Sequence, residues 1–362
     1  MTNLNKDKKY YSGYKDDGFC DAHHPVIAAI DLGTNSCRLL IASVNIATLK
    51  KSFFRSRPQS KGWKILDSFA RIVRLGEGLY KDDVLSLDAI ERTIEALKIC
   101  KRKMDFHNVK HLRAVATEAC RRASNSSELV DRVFNELGIR LEIVTSEEEA
   151  RLALTGCAGI MSSSIPNGIV FDIGGGSTEV VFVKIDQTGR QRPGYPVAFE
   201  VMDSISLPYG VVTLSEKYAQ FASSPEIHKS VRDLIKNSLM NFVTKNNIMQ
   251  CIEMNSLQTV GSSGTVTTFA ALQLGLQKYE RKKIDGMSLT TEDINAISDN
   301  LLNMPDDERM NHPCIATGRS DLVIIGSAIL QGMCDAFPQI RIKVADRGVR
   351  EGILAEMLQK VH

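Results

Sequence analysis

Three things are missing from this sequence of 362 residues: a surplus of charge of one sign, a rhythm to its cysteines, and an apolar run long enough to cross a bilayer. Its 45 basic side chains stand against 43 acidic ones, leaving a formal charge of +2. A protein that coats nucleic acid carries a clear basic excess or a basic stripe, and neither is present. An anionic ligand must therefore be met by a local site and not by the field of the whole molecule. The cysteines, Cys20, Cys37, Cys100, Cys120, Cys157, Cys251, Cys314 and Cys334, include no CxxC, and no secretory signal precedes them. That pattern predicts reduced thiols in the cytosol. The longest apolar stretch, Leu322 to Met333, is interrupted by Gly326, Ser327, Gln331 and Gly332. It falls short of the roughly 20 residues that a membrane span needs, so no membrane association is expected.

What is present suits a globular protein: 43% apolar and 24% charged residues, on a chain too long for one ordinary core. Residues 1–24 are polar and read as a flexible extension. Cys20, His23 and His24 could ligate a metal there, but three ligands on a loose tail are weak grounds for a site. From Val26 a short apolar run ends at Asp31-Leu-Gly-Thr-Asn-Ser36 and resumes at Leu39, which is strand, turn, strand. The plan recurs at Gly168 to Phe171, Asp172-Ile-Gly-Gly-Gly-Ser177 and Val180 to Val183. The two aspartates stand about one domain length apart, so an internal duplication is expected. Between the copies, Leu87, Ile90, Ile94, Leu97 and Met104 recur at helical spacing. A strand at Leu112 to Ala116, a helix through Glu128 to Leu137, a strand at Leu141 to Val144 and a helix from Glu147 follow, and the last helix begins near Gly348. Strands alternating with helices predict an α/β fold. No linker rich in Pro or Ser separates the halves, so two lobes facing each other across a cleft are expected.

Glycine turns between strands are where phosphate is commonly held. Without Cβ atoms, several backbone N–H groups can converge on one anion. Gly174, Gly175 and Gly176 offer such amides, with the hydroxyls of Ser177 and Thr178 beside them. Gly33, Thr34, Asn35 and Ser36 offer a similar set, with Arg38 as a charged clamp. A third candidate, Gly261-Ser262-Ser263-Gly264-Thr265, opens a helix. Each turn can also be read as a tight hairpin and nothing more. Asp31 and Asp172, at the strand ends, would repel a phosphate unless a cation such as Mg²⁺ lay between. Either aspartate can equally be a turn-capping residue.

Six motifs occur in order: Asp31-Leu-Gly-Thr-Asn-Ser-Cys-Arg38, Ala116-Thr-Glu-Ala-Cys-Arg-Arg-Ala-Ser-Asn125, Ser146-Glu-Glu-Glu-Ala-Arg151, Asp172-Ile-Gly-Gly-Gly-Ser-Thr-Glu179, Gly261-Ser-Ser-Gly-Thr265 and Asp346-Arg-Gly-Val-Arg-Glu-Gly352. Together they resemble the bacterial exopolyphosphatase and guanosine pentaphosphate phosphohydrolase family (Ppx/GppA), from about Val26 onward. The resemblance implies the duplicated ribonuclease H-like fold of the actin-like ATPases. It also implies Mg²⁺-dependent hydrolysis of the terminal anhydride of polyphosphate, of the 5′ γ-phosphate of guanosine pentaphosphate, or of both. By the same resemblance Glu149 matches the general base and Glu179 the acid that orients the attacking water. Asp172 matches the metal-associated aspartate and Arg121 the arginine that clamps the phosphate chain; the three turns match phosphate loops, Ser262, Ser263 and Gly264 among them. Many members carry a further C-terminal helical domain for which no segment matches here, so the sequence leaves processivity on long chains open. A homodimer is the default association.

The expected division is an extension over 1–24, a first lobe over 25–152 to which 345–362 returns, and a second lobe over 153–344. Local pattern leaves other readings open. Ser146-Glu-Glu-Glu149 has the spacing of a capping box, in which Glu149 would serve the helix end. Glu147 and Glu148 read as solvated first-turn acids. Glu179 could be a polar residue on a half-exposed strand, and Arg347 and Arg350 are supporting groups at most. Fold analogy also admits an ATP-dependent kinase or chaperone, and a sensor that binds polyphosphate or an alarmone without hydrolysing it.

Overall fold

The computed structural model describes residues 25–44, 63–187, 197–218, 224–315, 320, 322–338 and 340–360. The expected extension over 1–24, with Cys20, His23 and His24, lies outside the described residues. The first half opens with β1 (Val26–Leu32), β2 (Ser36–Val44) and β3 (Trp63–Ile72). Helices α1 (Leu79–Asp82) and α2 (Leu87–Phe106) lead to β4 (His111–Ala116). Then come α3 (Glu118–Arg122), α4 (Ser126–Leu137), β5 (Leu141–Ile143) and α5 (Ser146–Cys157). The second half opens the same way with β6 (Asn167–Ile173), β7 (Thr178–Ile185) and β8 (Phe199–Leu207). It continues through α6 (Val211–Tyr218), α7 (Pro225–Lys245), α8 (Ile248–Glu253), β9 (Leu257–Ser262), α9 (Gly264–Gln273) and α10 (Arg281–Ile284). It ends with β10 (Ser288–Thr290), α11 (Thr291–Asn303), α12 (Asp306–Asn311), α13 (Leu322–Ala336), β11 (Arg341–Ala345) and α14 (Val349–Lys360).

The duplication is visible in the sheets. The first runs β3-β2-β1-β4-β5 and the second β8-β7-β6-β9-β11, with β10 added at its edge. Strand senses match pair by pair: two antiparallel pairings, then two parallel ones. Even the irregularities correspond. The register shifts after Ile41 in one copy and after Phe182 in the other, ten residues past the aspartate each time. The chain therefore has the duplicated, actin-like α/β fold, with two lobes around a cleft.

Strand alternation decides what each face buries. Ala28, Ile30, Leu39 and Ile41 meet Ile90, Ile94 and Leu97 of α2 and Leu129 and Val133 of α4. The opposite face, Ile27, Ala29, Leu40 and Ala42, is closed by Leu152 and Ala153 of α5 and by Val349, Ile353 and Leu354 of α14. The other side of α5, with Ala150, Leu154 and Cys157, packs on Val170, Val181 and Val183 of the second sheet. So α5 lies between the sheets, and the helix that carries Glu149 touches both halves.

Two helical glycines explain how tightly α5 is held. A Cβ on Gly156 would stand 2.0 Å from the Gly348 carbonyl oxygen, and one on Gly352 would stand 2.0 Å from that of Leu152. Glycine inside a helix costs about 0.5–1 kcal/mol relative to alanine. Here that cost permits backbone-to-backbone contact between α5 and α14.

Candidate active site

The two hairpin turns close alike: the Gly33 N–H donates to the Ser36 carbonyl at 3.0 Å, and Gly174 N–H to the Ser177 carbonyl at 2.9 Å. They are hairpins, as the plain reading held, yet they also face one cleft. Gly33, Thr34, Asn35, Ser36, Arg38, Gly174, Gly175, Gly176 and Ser177 line it with Ser263 and Gly264, around a cavity of about 100 Å³. The turns touch each other. A Cβ on Gly175 would lie 3.0 Å from the Thr34 Cβ, and one on Gly176 would lie 2.7 Å from both Thr34 Oγ1 and Glu118 Cγ. Glycine is needed at these positions because one half of the molecule meets the other there.

The third turn differs from its expectation. Gly261 and Ser262 belong to β9, and only Ser263 lies between strand and helix, its side chain accepting from the Val266 N–H at 3.0 Å. Gly261 serves packing: a Cβ there would stand 2.6 Å from the Phe171 ring. Ser262 donates its hydroxyl to the Arg347 carbonyl at 2.8 Å and does not line the cleft. Thr178, fully buried, likewise donates to the Tyr209 carbonyl at 2.7 Å.

Four carboxylates gather behind the turns. Across each hairpin the aspartate has a fixed neighbour, Arg38 opposite Asp31 and Glu179 opposite Asp172. Directly opposed side chains share a face of the sheet. One copy therefore pairs acid with base and the other acid with acid. Burial raises both aspartates above the usual carboxylate range, Asp172 to about 7, and the Arg38 guanidinium is the largest charge opposing it in each case. Glu179 is buried, accepts hydrogen bonds from Ser177 Oγ (2.6 Å) and Ser206 Oγ (3.1 Å), and is pushed up to about 7, chiefly by burial. It is not the half-exposed strand residue that local pattern allowed.

Glu149 is not a capping residue either. The N-cap of α5 is Thr145, whose side chain accepts from the Glu148 N–H at 3.2 Å. The cap thus sits one residue earlier than the Ser146–Glu149 spacing suggested, and Glu149 falls beyond it, facing the cleft. Its carboxyl is pushed up to about 8, first by burial and then by the nearby Glu179 charge. Arg121 Nη1 stands 2.8 Å from Glu149 Oε2, yet that oxygen has no aligned hydrogen-bond donor. Glu148 is also unlike its expectation: Arg113 and Arg151 both hold it, at 2.9 and 2.7 Å. Only Glu147 is a solvated first-turn acid.

Arg121 lies behind the cleft wall, with its N–H groups on Glu118 and on the Val144 carbonyl. Arg122 turns to Asp83 at the surface. Arg347 pairs with Asp285, and Arg350 reaches the Leu39 carbonyl at 3.4 Å. Residues not singled out from the sequence complete the wall: Thr117, Glu118, Val211, Ile315, Leu322 and Val323. The first two sit inside a recognised motif beside Arg121. The apolar four arrive from distant segments and carry no local signal.

A magnesium ion requires only one or two protein carboxylates, completing its shell with water and phosphate oxygens. Among the described residues no three His, Cys, Asp or Glu side chains form a metal-holding group. Asp31 and Asp172, both lining the cleft with their carboxyls raised, fit that smaller requirement. No helix among the described residues is long and apolar enough to cross a membrane. The seven described cysteines are unpaired thiols.

Known proteins resemble the chain over nearly all of its length. It is 29% identical over 342 residues to the bifunctional 3-dehydroquinate synthase/phosphatase of Fusobacterium nucleatum, covering 91% of this chain but 46% of that protein. The chain thus spans about half of that relative. It is 28% identical over 313 residues to exopolyphosphatase 2 of Mycobacterium tuberculosis, covering 84% of this chain and 88% of that one. The crystal structure of the Aquifex aeolicus Ppx/GppA family member superposes with a TM-score of 0.70 at 30% identity, over 94% of this chain and 99% of that one. The sequence profile of the Ppx/GppA phosphatase family matches residues 54–361, and the chain belongs to that family.

Proposed function

We propose that the chain is a hydrolase that removes the terminal phosphate from a phosphate chain, acting on inorganic polyphosphate, on the 5′ γ-phosphate of guanosine pentaphosphate, or on both. The observation that carries the reading is Glu149: a buried carboxyl pushed up to about 8, facing a cleft whose floor is two glycine turns. A base with a pKa near the working pH is what proton abstraction from water requires.

In this reading the amides of Gly33 to Ser36 and Gly174 to Ser177, with Arg38, hold successive phosphoryl groups. The Glu149 carboxylate takes the proton from a water whose oxygen attacks the terminal phosphorus. The bond from that phosphorus to the bridging oxygen breaks, and the shortened chain leaves with the electron pair. Glu179, fixed by Ser177 and Ser206, orients the water. Arg121 offsets the charge of Glu149 and is the clamp for the chain. Asp31 and Asp172 would hold Mg²⁺, which when bound neutralises phosphoryl oxygens that the carboxylates would otherwise repel. The lobes in this reading are 25–152 with 345–362, and 153–344, so their boundary falls inside α5. Action in the cytoplasm and association as a homodimer belong to the same proposal.

The test is Mg²⁺-dependent phosphate release by wild type and Glu149→Gln, each offered polyphosphate and guanosine pentaphosphate in parallel. Release that collapses in the variant supports the hydrolase and its base. ATP-dependent transfer to a small acceptor would indicate a kinase, and tight binding without release a sensor.

A further inference from the structure

Glu118 occupies the fork of Arg121 from the cleft side. Arg121 Nε and Nη2 donate to one oxygen of Glu118, Oε2, at 3.0 and 2.8 Å. Nη1 is spent on the Val144 carbonyl at 2.9 Å and on the charge of Glu149. The Nε/Nη2 edge is one that can grip phosphate oxygens in paired fashion, and here one carboxylate oxygen of Glu118 already fills it. Glu118 lines the cleft while Arg121 does not. Its Cγ also lies 2.7 Å from where a Cβ on Gly176 would sit, so the side chain stands directly between the second glycine turn and the guanidinium. A phosphoryl group resting on Gly174 to Ser177 meets Glu118 before it meets Arg121.

The geometry points to Glu118 as a displaceable guard of Arg121 that sets which phosphates the site retains. This rests on the hydrolase reading of the same cleft. A single orthophosphate, held by one turn, has little to offset the loss of a charge-assisted hydrogen bond and the repulsion of a second anion. A chain held on both turns at once engages additional amides and displaces the guard. Glu118 thus favours the chain over its own product, and release of orthophosphate is assisted by the carboxylate returning to the fork. No bond is made or broken by Glu118, so it is a specificity-determining residue and not a proton carrier.

Calorimetry of the full-length chain with orthophosphate and with tripolyphosphate, in the presence of Mg²⁺ and on a Glu149→Gln background that lacks the proposed base, tests this without turnover. Glu118→Gln keeps the side chain's size and removes its charge; Glu118→Asp keeps the charge and shortens its reach. Both are expected to bind orthophosphate more tightly, by about tenfold for Gln, the size of one charge-assisted hydrogen bond. Tripolyphosphate is expected to gain less, so selectivity for the chain falls. Inhibition by orthophosphate tightens in step, and the gain disappears when Arg121→Met is added. Orthophosphate binding that is unchanged or weaker in both variants, each retaining its melting transition, overturns the proposal and leaves Glu118 as a brace for Arg121. A wild type that binds orthophosphate but releases none from any chain defeats the hydrolase reading alone, since the binding comparison still decides the guard.

Discussion

At the scale of single residues, the raised carboxyls make the chain's stability and its chemistry pull in opposite directions with pH. Glu149 ionises near 8 in the folded chain, against an ordinary value of 4.5. The folded state keeps a proton that the unfolded state has lost, so this contribution to stability is complete below about pH 4.5 and is lost as pH rises through 8. Glutamine mimics the protonated form. Thermal melts of Glu149→Gln are therefore expected to match wild type at pH 5 and to lie above it at pH 9. Phosphate release should fall by about 100- to 10,000-fold in the same variant. In wild type, release should climb as pH passes from 7 to 8, because the base works only when ionised. A melting difference of the opposite sign at pH 9 would show that Glu149 is not held protonated by burial. Glu149 itself was legible in the sequence through its motif, but the capping-box alternative could be discarded only once Thr145 was seen to hold the cap. One residue of helix register separates a structural acid from one that faces the cleft.

At the scale of elements, α5 is the part on which the site depends, and its bearing is the close crossing with α14. Gly352→Ala forces a Cβ to within 2.0 Å of the Leu152 carbonyl oxygen. Backbone must give way, and overpacking of this kind costs about 1–3 kcal/mol. The expected result in denaturant titrations is a loss of that order, together with reduced phosphate release, since the displaced helix carries Glu149. Thr145→Ala removes the cap and should cost about 1 kcal/mol by the same measurement. The strands of both hairpins, and α2, α4, α5 and α14, were readable because an apolar run ended by a glycine turn, or helical spacing, is a local signal. The third turn was not. A glycine followed by two serines reads as a loop, whereas Gly261 is a strand residue making room for Phe171, a partner ninety positions earlier in the chain. Ser262 and Thr178 belong to the same lesson: their motifs place them beside the cleft, but a backbone carbonyl claims each hydroxyl.

At the scale of the molecule, directed contacts join the two halves at several places, Arg113 to Glu356 and Arg350 to the Leu39 carbonyl among them. The Gly78 N–H in the first half donates to Glu216 Oε1 of α6 in the second, at 2.9 Å. Glu216→Ala removes that link without touching either glycine turn. Hydrogen exchange of the 76–82 segment is expected to quicken about tenfold, the size of one hydrogen bond to a charged group. Unchanged exchange would mean that this contact contributes little to holding the 76–82 segment. The duplication, the α/β class and the cleft were legible from two repeated aspartate-glycine motifs. The apolar wall of Val211, Ile315, Leu322 and Val323 was not, because its members converge from three segments with no shared pattern. The crossing of α5 and α14 also has a kinetic side. One face of the first sheet, carrying Ile27, Ala29, Leu40 and Ala42, is covered by α5 only in part and is completed by α14, more than three hundred positions later. Contacts of that separation are slow to form, because the closure entropy of the intervening chain is spent before any burial repays it. During synthesis the earliest strands must wait, half-finished and sticky, for some three hundred residues to follow, and the helix that carries Glu149 gains its second bearing only when α14 docks.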